Sequence, residues 1–134
     1  MKLVVPFERS FDATYGLEYI DPAHGRVSVD ARHLGAHGAV QSGVYASMAE
    51  SIASTATAVE VLEKGFMVSG LSNATYVLAD VTEGVLEAAA QAAARVEGEW
   101  LWDVEIRCGD TLAALSTVVI AVRPASRPAP PSAA

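Results

Sequence analysis

The chain of 134 residues holds a single cysteine, Cys108, so it can form no internal disulfide and no cysteine-based metal cluster. Basic residues are scarce as well. Nine lysines and arginines stand against sixteen acidic residues, for a formal net charge of -7. Nucleic-acid binding through phosphate neutralisation needs a basic face, and this deficit argues against it. An anionic ligand must instead find a local basic spot. The three histidines, His24, His33 and His37, crowd into the first third without the spacing of a metal site on a helix, and no metal is expected. No apolar run reaches the length of a membrane span. In MKLVVPFERSFD the charged break comes too early for the apolar stretch of a secretory leader. The sequence therefore reads as cytoplasmic, with neither nucleic acid nor membrane as partner.

What the chain does have is apolar content. Half of it, 51%, is hydrophobic, and the mean hydropathy is +0.29. The length fits one domain with a single core, and the apolar excess points to surface buried against another subunit. Leu17 to Asp21 and Arg26 to Ala31 read as short strands around the turn Pro22-Ala23-His24-Gly25. A glycine-bearing loop, Arg32 to Val40, leads into a helix that starts near Ser42, capped by its hydroxyl, and runs to Leu62 or Lys64, with Gly65 as its stop. Phe66 to Leu78 reads as a strand. Val85 to Val96, VLEAAAQAAARV, is helical by local propensity. Glu99 to Cys108 alternates cleanly, with Trp100, Trp102, Val104, Ile106 and Cys108 on one face. Gly109-Asp110 turns the chain into a last apolar strand, Thr111 to Val122. The tail from Pro124 to Ala134 lacks apolar anchors and is expected to be disordered.

The stretch QSGVYASMAESIAS, Gln41 to Ser54, is the most informative. Its alanines and serines let other backbone approach closely, and one carboxylate, Glu50, stands near the middle. A carboxylate buried among such neighbours is costly unless paired or reached by water, and strained ionisation of that kind marks working sites. The plain alternative is a solvated glutamate on a surface helix.

Strand pair, long helix, then long strands is an order that resembles the hotdog fold, an α+β architecture in which a curled antiparallel sheet wraps one long helix. GAHGAVQSGVYASMAESIAS resembles the helix entry of the PaaI-like and 4-hydroxybenzoyl-CoA thioesterases, whose usual form is N-P-x-G-x-x-H-G-G followed by a small-residue helix and a Glu or Asp. SNATYVLADVTEGVLEAAA is similar to the family's third strand and its link to the fourth, and GEWLWDVEIRCGDTLAALSTVVIAV to its closing hairpin. The resemblance covers residues 1–123 as one hotdog domain, leaves 124–134 as the tail, and replaces the helical reading of Val85 to Val96 by a strand.

Residue by residue, the resemblance implies that Glu50 is the catalytic carboxylate, acting as nucleophile or general base. Ser42 and Gly43 fall on the paired glycines, with the Ser42 N–H polarising the thioester carbonyl, and Ser54 falls where a hydroxyl helps to hold water. Gln41, Gly35 and Tyr76 are the expected substrate contacts, although for Tyr76, as for Tyr45, Met48 and the tryptophans, ordinary core is the better reading. The chain departs from the family at several points. Gln41 replaces a histidine and Ser42 a glycine. Gly35 stands where an asparagine or glutamine side chain faces the substrate, and Leu78-Ala79-Asp80-Val81 stands where an arginine precedes a proline. Serine keeps the backbone donor, glutamine cannot titrate, and Asp80 weakens the case for a coenzyme A phosphate contact there.

At 1.5 Å per residue, Ser42 and Glu50 are about 12 Å apart along the helix, so one carbonyl cannot touch both. If the helix N-terminus activates a thioester, the carboxylate comes from a second chain in a two-fold dimer, and a dimer of dimers is the expected assembly. The expected function is hydrolysis of an acyl-CoA or aryl-CoA thioester without a cofactor beyond the coenzyme A of the substrate. The rival is a noncatalytic acyl-CoA or lipid-binding module; a hydratase of the same fold lacks a placeable histidine.

Overall fold

The computed structural model describes residues 6–125; the first five residues and the tail beyond Ala125, with its expected disorder, lie outside them. A short helix α1 (Phe11–Thr14) precedes the strands β1 (Glu18–Asp21) and β2 (His24–Ser28). The long helix α2 (Ser42–Val61) follows, and then β3 (Phe66–Val77), β4 (Val85–Val96), β5 (Glu99–Cys108) and β6 (Thr111–Pro124). The strands form one antiparallel sheet in the order β1-β2-β4-β5-β6-β3. Its concave face wraps α2, which is the hotdog architecture.

The wrap depends on small residues. Ala49, Ala53 and Ala56 of α2 are buried between Tyr45, Met48 and Ile52 on the helix and Val27, Leu86, Val104, Ile106, Val118 and Ile120 on the sheet. Each fully buried aliphatic side chain there contributes about 2 kcal/mol. Gly25 allows the closest approach of β2, since a Cβ at that position would stand 3.0 Å from both Ile52 Cδ1 and Leu17 Cδ1. One polar pair crosses the core: Trp102 Nε1 donates to Thr57 Oγ1 at 2.8 Å, and that hydroxyl donates to Ala53 O at 2.8 Å. Neither group is left with an unmet bond.

Local chemistry sets the ends of the elements. The turn between β1 and β2 is tighter than the sequence suggests, because only Pro22 and Ala23 lie between the paired residues Asp21 and His24. Asp21 Oδ1 accepts from His24 Nδ1 and from the Ala23 N–H, both at 2.8 Å. These bonds hold the Asp21 carboxyl below its ordinary range. The α2 N-cap is Gln41 without a side-chain bond, and Ser42 is already the first helical residue; the expected Ser42 cap is thus corrected by one position. At the other end α2 tightens into a 3-10 turn over Leu62–Lys64 and stops at Gly65 in the left-handed region, φ 85. The last strand runs beyond the expected Val122: Pro124 pairs with Phe66, and the Ala125 N–H bonds Gly65 O at 2.8 Å.

A hydroxyl cluster clamps α1 to α2. Asp12 accepts from Ser51 Oγ at 2.6 Å, from Tyr19 OH at 3.2 Å and from Tyr15 OH at 3.3 Å, while Tyr19 OH also lies 3.0 Å from Thr55 Oγ1. Burial, reinforced by the Asp12 charge, pushes the Tyr19 hydroxyl up to about 12 and that of Tyr15 higher still. Folded-state values above the ordinary 10.0 mean that the native form favours the protonated phenols. The stability they contribute is full below pH 10 and is lost as the pH rises through about 12. Tyr19→Phe should therefore flatten the alkaline fall in melting temperature over that window. Ultraviolet titration checks this, and ionisation of Tyr19 at its ordinary value would show that the clamp is open.

Candidate active site

The loop before α2 is held from both sides. The Val40 N–H bonds Val81 O at 2.7 Å and the Gln41 N–H bonds His33 O at 3.0 Å. His33 is buried with both ring nitrogens in use: Nδ1 accepts from the Asp30 N–H at 2.9 Å, and Nε2 donates to Tyr15 O at 2.7 Å. That pattern fixes one neutral tautomer and makes His33 the anchor of the loop. His37, by contrast, is exposed.

The anchored loop delivers Ser42 and Gly43 to the first turn of α2, where both are exposed and their N–H groups have no intrahelical partner. These amides carry the positive end of the helix dipole, an arrangement suited to stabilising charge on a carbonyl oxygen. Beside them is a cleft of about 520 Å³ lined by Gly35, His37, Gln41 and Asp80 among others. The structure thus brings Gly35 and Gln41 together: a Cβ at Gly35 would lie 3.9 Å from Gln41 Oε1. The Gln41 carboxamide fills the side of the cleft that the glycine leaves open. A second cleft, of about 290 Å³, lies beside Gly43 and Ser47 and is bounded by Phe11 and Arg32.

Two turns along the helix stands Glu50, exposed in the protomer, which is the solvated one of the two readings that the sequence leaves open. Its carboxylate lies over Gly70 of β3, so close that a Cβ on Gly70 would collide with Glu50 Oε1. Ser54, half-buried, follows one turn later. Within one protomer Ser42 and Glu50 remain the two ends of an axial gap of about 12 Å. β3 itself is the sheet edge beside Glu50. Its sequence FMVSGLSNATYV has no charged residue, and Met67 and Leu71 are both more than half exposed.

Tyr76 is not a core residue, as one of its two readings has it. It pairs with Leu115 on the outer face of the sheet, away from α2, and is 64% exposed. The cause is a register shift between Gly70 and Ser72, where β3 carries one extra residue, Leu71, against β6. A bulge reverses the alternation of side chains, so Gly70 faces α2 with Ile120 whereas Asn73 and Thr75, not Tyr76, face it further along. Tyr45, Met48 and Trp102 are core residues. Sequence reasoning does not single out Gly70 or Asn73. The signal available is the glycine in the middle of an apolar strand, which marks a bulge or a close approach.

No family model matches the chain. Among solved structures it is similar to AziG from S. sahachiroi, with 31% identity over 81% of this chain and 90% of that one at a TM-score of 0.72. It is also similar to Rv1847/MT1895 from Mycobacterium tuberculosis, with 29% identity over 88% and 98% of the two chains at 0.81. A mutant of thioesterase PA1618 from Pseudomonas aeruginosa shares the fold at 22% identity, over 87% and 88%, at 0.81. A sheet wrapped on one small-residue helix, free amides at the helix start and a carboxylate two turns on agree with this likeness: the chain belongs to one family with AziG and has the hotdog fold that these structures share.

Proposed function

We propose that the protein hydrolyses acyl-CoA or aryl-CoA thioesters at sites shared between two protomers. The observation that carries this reading is the separation of the two reactive poles. Free amides at Ser42 and Gly43 and the Glu50 carboxylate are too far apart to serve one carbonyl within a protomer. Glu50 also lies on the side of α2 that borders a long uncharged edge strand. Such an edge pairs with another strand unless it is covered, and a second copy of β3, related by a two-fold axis, covers it. Antiparallel α2 helices then bring each N-terminus towards Glu50 of the partner subunit. The exposed Tyr76 and Leu115 on the outer sheet face offer a surface on which two dimers pair.

The thioester oxygen accepts from the Ser42 N–H, with Gly43 beside it, and the developing negative charge is stabilised there. The partner's Glu50 either attacks the carbonyl carbon, expelling the thiolate and leaving a mixed anhydride for water to open, or takes a proton from water as that water attacks. Both routes yield the free acid and the thiol, and neither requires a metal or a bound cofactor. On this reading Gln41 donates to the bound thioester and Ser54 to the water.

The test is thiol release from a panel of aliphatic and aryl-CoA thioesters. Turnover of at least one class is expected. Tight binding without thiol release would instead favour an acyl-CoA-binding module, and water addition to the acyl chain with the thioester intact would favour a hydratase.

A further inference from the structure

We propose that Gly70 and Asn73, brought onto one face of β3 by the bulge at Leu71, set the position of the Glu50 carboxylate. The inference rests on the hydrolase reading, and it assigns roles to two residues that touch no substrate.

Without an extra residue in β3, Gly70 and Asn73, three apart in sequence, would face opposite sides of the sheet. The register shift changes this: Gly70 pairs with Ile120 and Asn73 with Val118, both buried on the helix side. Gly70 then supplies a flat stretch of backbone on which the Glu50 carboxylate rests, with no room for a methyl group between them. Asn73 reaches the helix itself, where its Nδ2 donates to Ala46 O at 2.8 Å. By helix geometry that carbonyl is also the acceptor for the backbone N–H of Glu50. The carboxamide is held in turn: Thr75 Oγ1 lies 2.7 Å from Asn73 Oδ1 and 2.7 Å from Ser116 Oγ. Thr75 Oγ1 has one proton and donates it to Asn73 Oδ1, so Ser116 donates to Thr75. A polar chain therefore runs from β6 through β3 to the turn of α2 that carries Glu50. Bulges are frequent beside active sites, where they aim a side chain.

These are positioning residues, and the test separates them from general supports of the fold. Gly70→Ala displaces only the flexible end of Glu50, so its melting temperature should match that of the unsubstituted protein. On a CoA thioester that the unsubstituted protein cleaves, kcat should fall about 100-fold with KM little changed, the scale for a catalytic group misplaced by about 1 Å. Asn73→Ala should lower kcat about tenfold with the same pattern. In a Glu50→Ala background neither substitution should lower the residual rate further, as expected for residues that act through Glu50. Full kcat in Gly70→Ala, or equal losses with and without Glu50, would overturn the proposal. Crystal structures of the two variants give a readout that does not depend on turnover: the carboxylate should move, and an unmoved carboxylate also overturns it. Failure of the hydrolase reading is told apart because it shows as an inactive unsubstituted protein or a fully active Glu50→Ala.

Discussion

Glu50→Ala should abolish nearly all thioester hydrolysis while leaving the protomer folded. Glu50 is exposed on α2, so removing its carboxylate opens no cavity, and alanine favours a helix more than glutamate does. A positioned base contributes about 10²–10⁴-fold to rate, and kcat should drop by that order with KM little changed. Glu50→Gln keeps the volume and the lie of the side chain over Gly70, yet it can neither accept a proton nor attack, and it should be as inactive. Thiol release measured beside circular dichroism and melting temperature decides the matter. A variant that keeps more than about a tenth of the wild-type rate would mean that the reaction uses another group.

How much of the molecule is legible in its sequence varies from element to element, for physical reasons. Strand β5 is plain because Trp102, Val104 and Ile106 alternate against Asp103, Glu105 and Arg107, and the buried set matches that alternation. Strand β4 is not plain from propensity. Alanine-rich Val85–Val96 prefers a helix in isolation, but β5 pairs with it from Leu86 to Val96 and β2 with its first part, Val85 to Ala89. Pairing outweighs a propensity of tenths of a kcal/mol per residue, and only the family resemblance points to that outcome. The helix entry is legible as a unit, since glycine, serine and alanine at 42–49 are what a wrapped helix requires. Its cap is not, because Gln41 is extended, φ -71 and ψ 142, and a hydroxyl at the next position looks like the better cap. Which way Tyr76 faces is not legible, because one extra residue in β3 reverses alternation and the sequence does not show where a bulge sits. The exposure of Glu50 is one of the two readings that its small-residue surroundings leave open, because composition along a helix does not show which face is turned from the sheet.

Two inactive variants should restore each other when mixed. Ser42→Pro removes one backbone donor at little cost to the fold. Proline suits the first helical position, the N–H lost there has no intrahelical partner, and Gln41 already holds the extended conformation that a following proline demands. Loss of one such donor lowers kcat about 10²–10³-fold, so Ser42→Pro and Glu50→Ala should each be nearly inactive. In a mixed dimer, however, one of the two sites joins the intact Ser42 amide of the Glu50→Ala chain to the intact Glu50 of the Ser42→Pro chain, and the other site combines both defects. Random exchange of equal amounts makes about half of the dimers mixed, each with one working site, so about a quarter of the wild-type rate should return. Mixing either variant with itself should return nothing. If exchange is demonstrated, for instance by differently tagged chains purifying together, and the mixture stays inactive, the amides and the carboxylate do not serve one carbonyl across the two-fold axis. Recovery to about a quarter identifies each site as one protomer's helix start facing the other protomer's carboxylate.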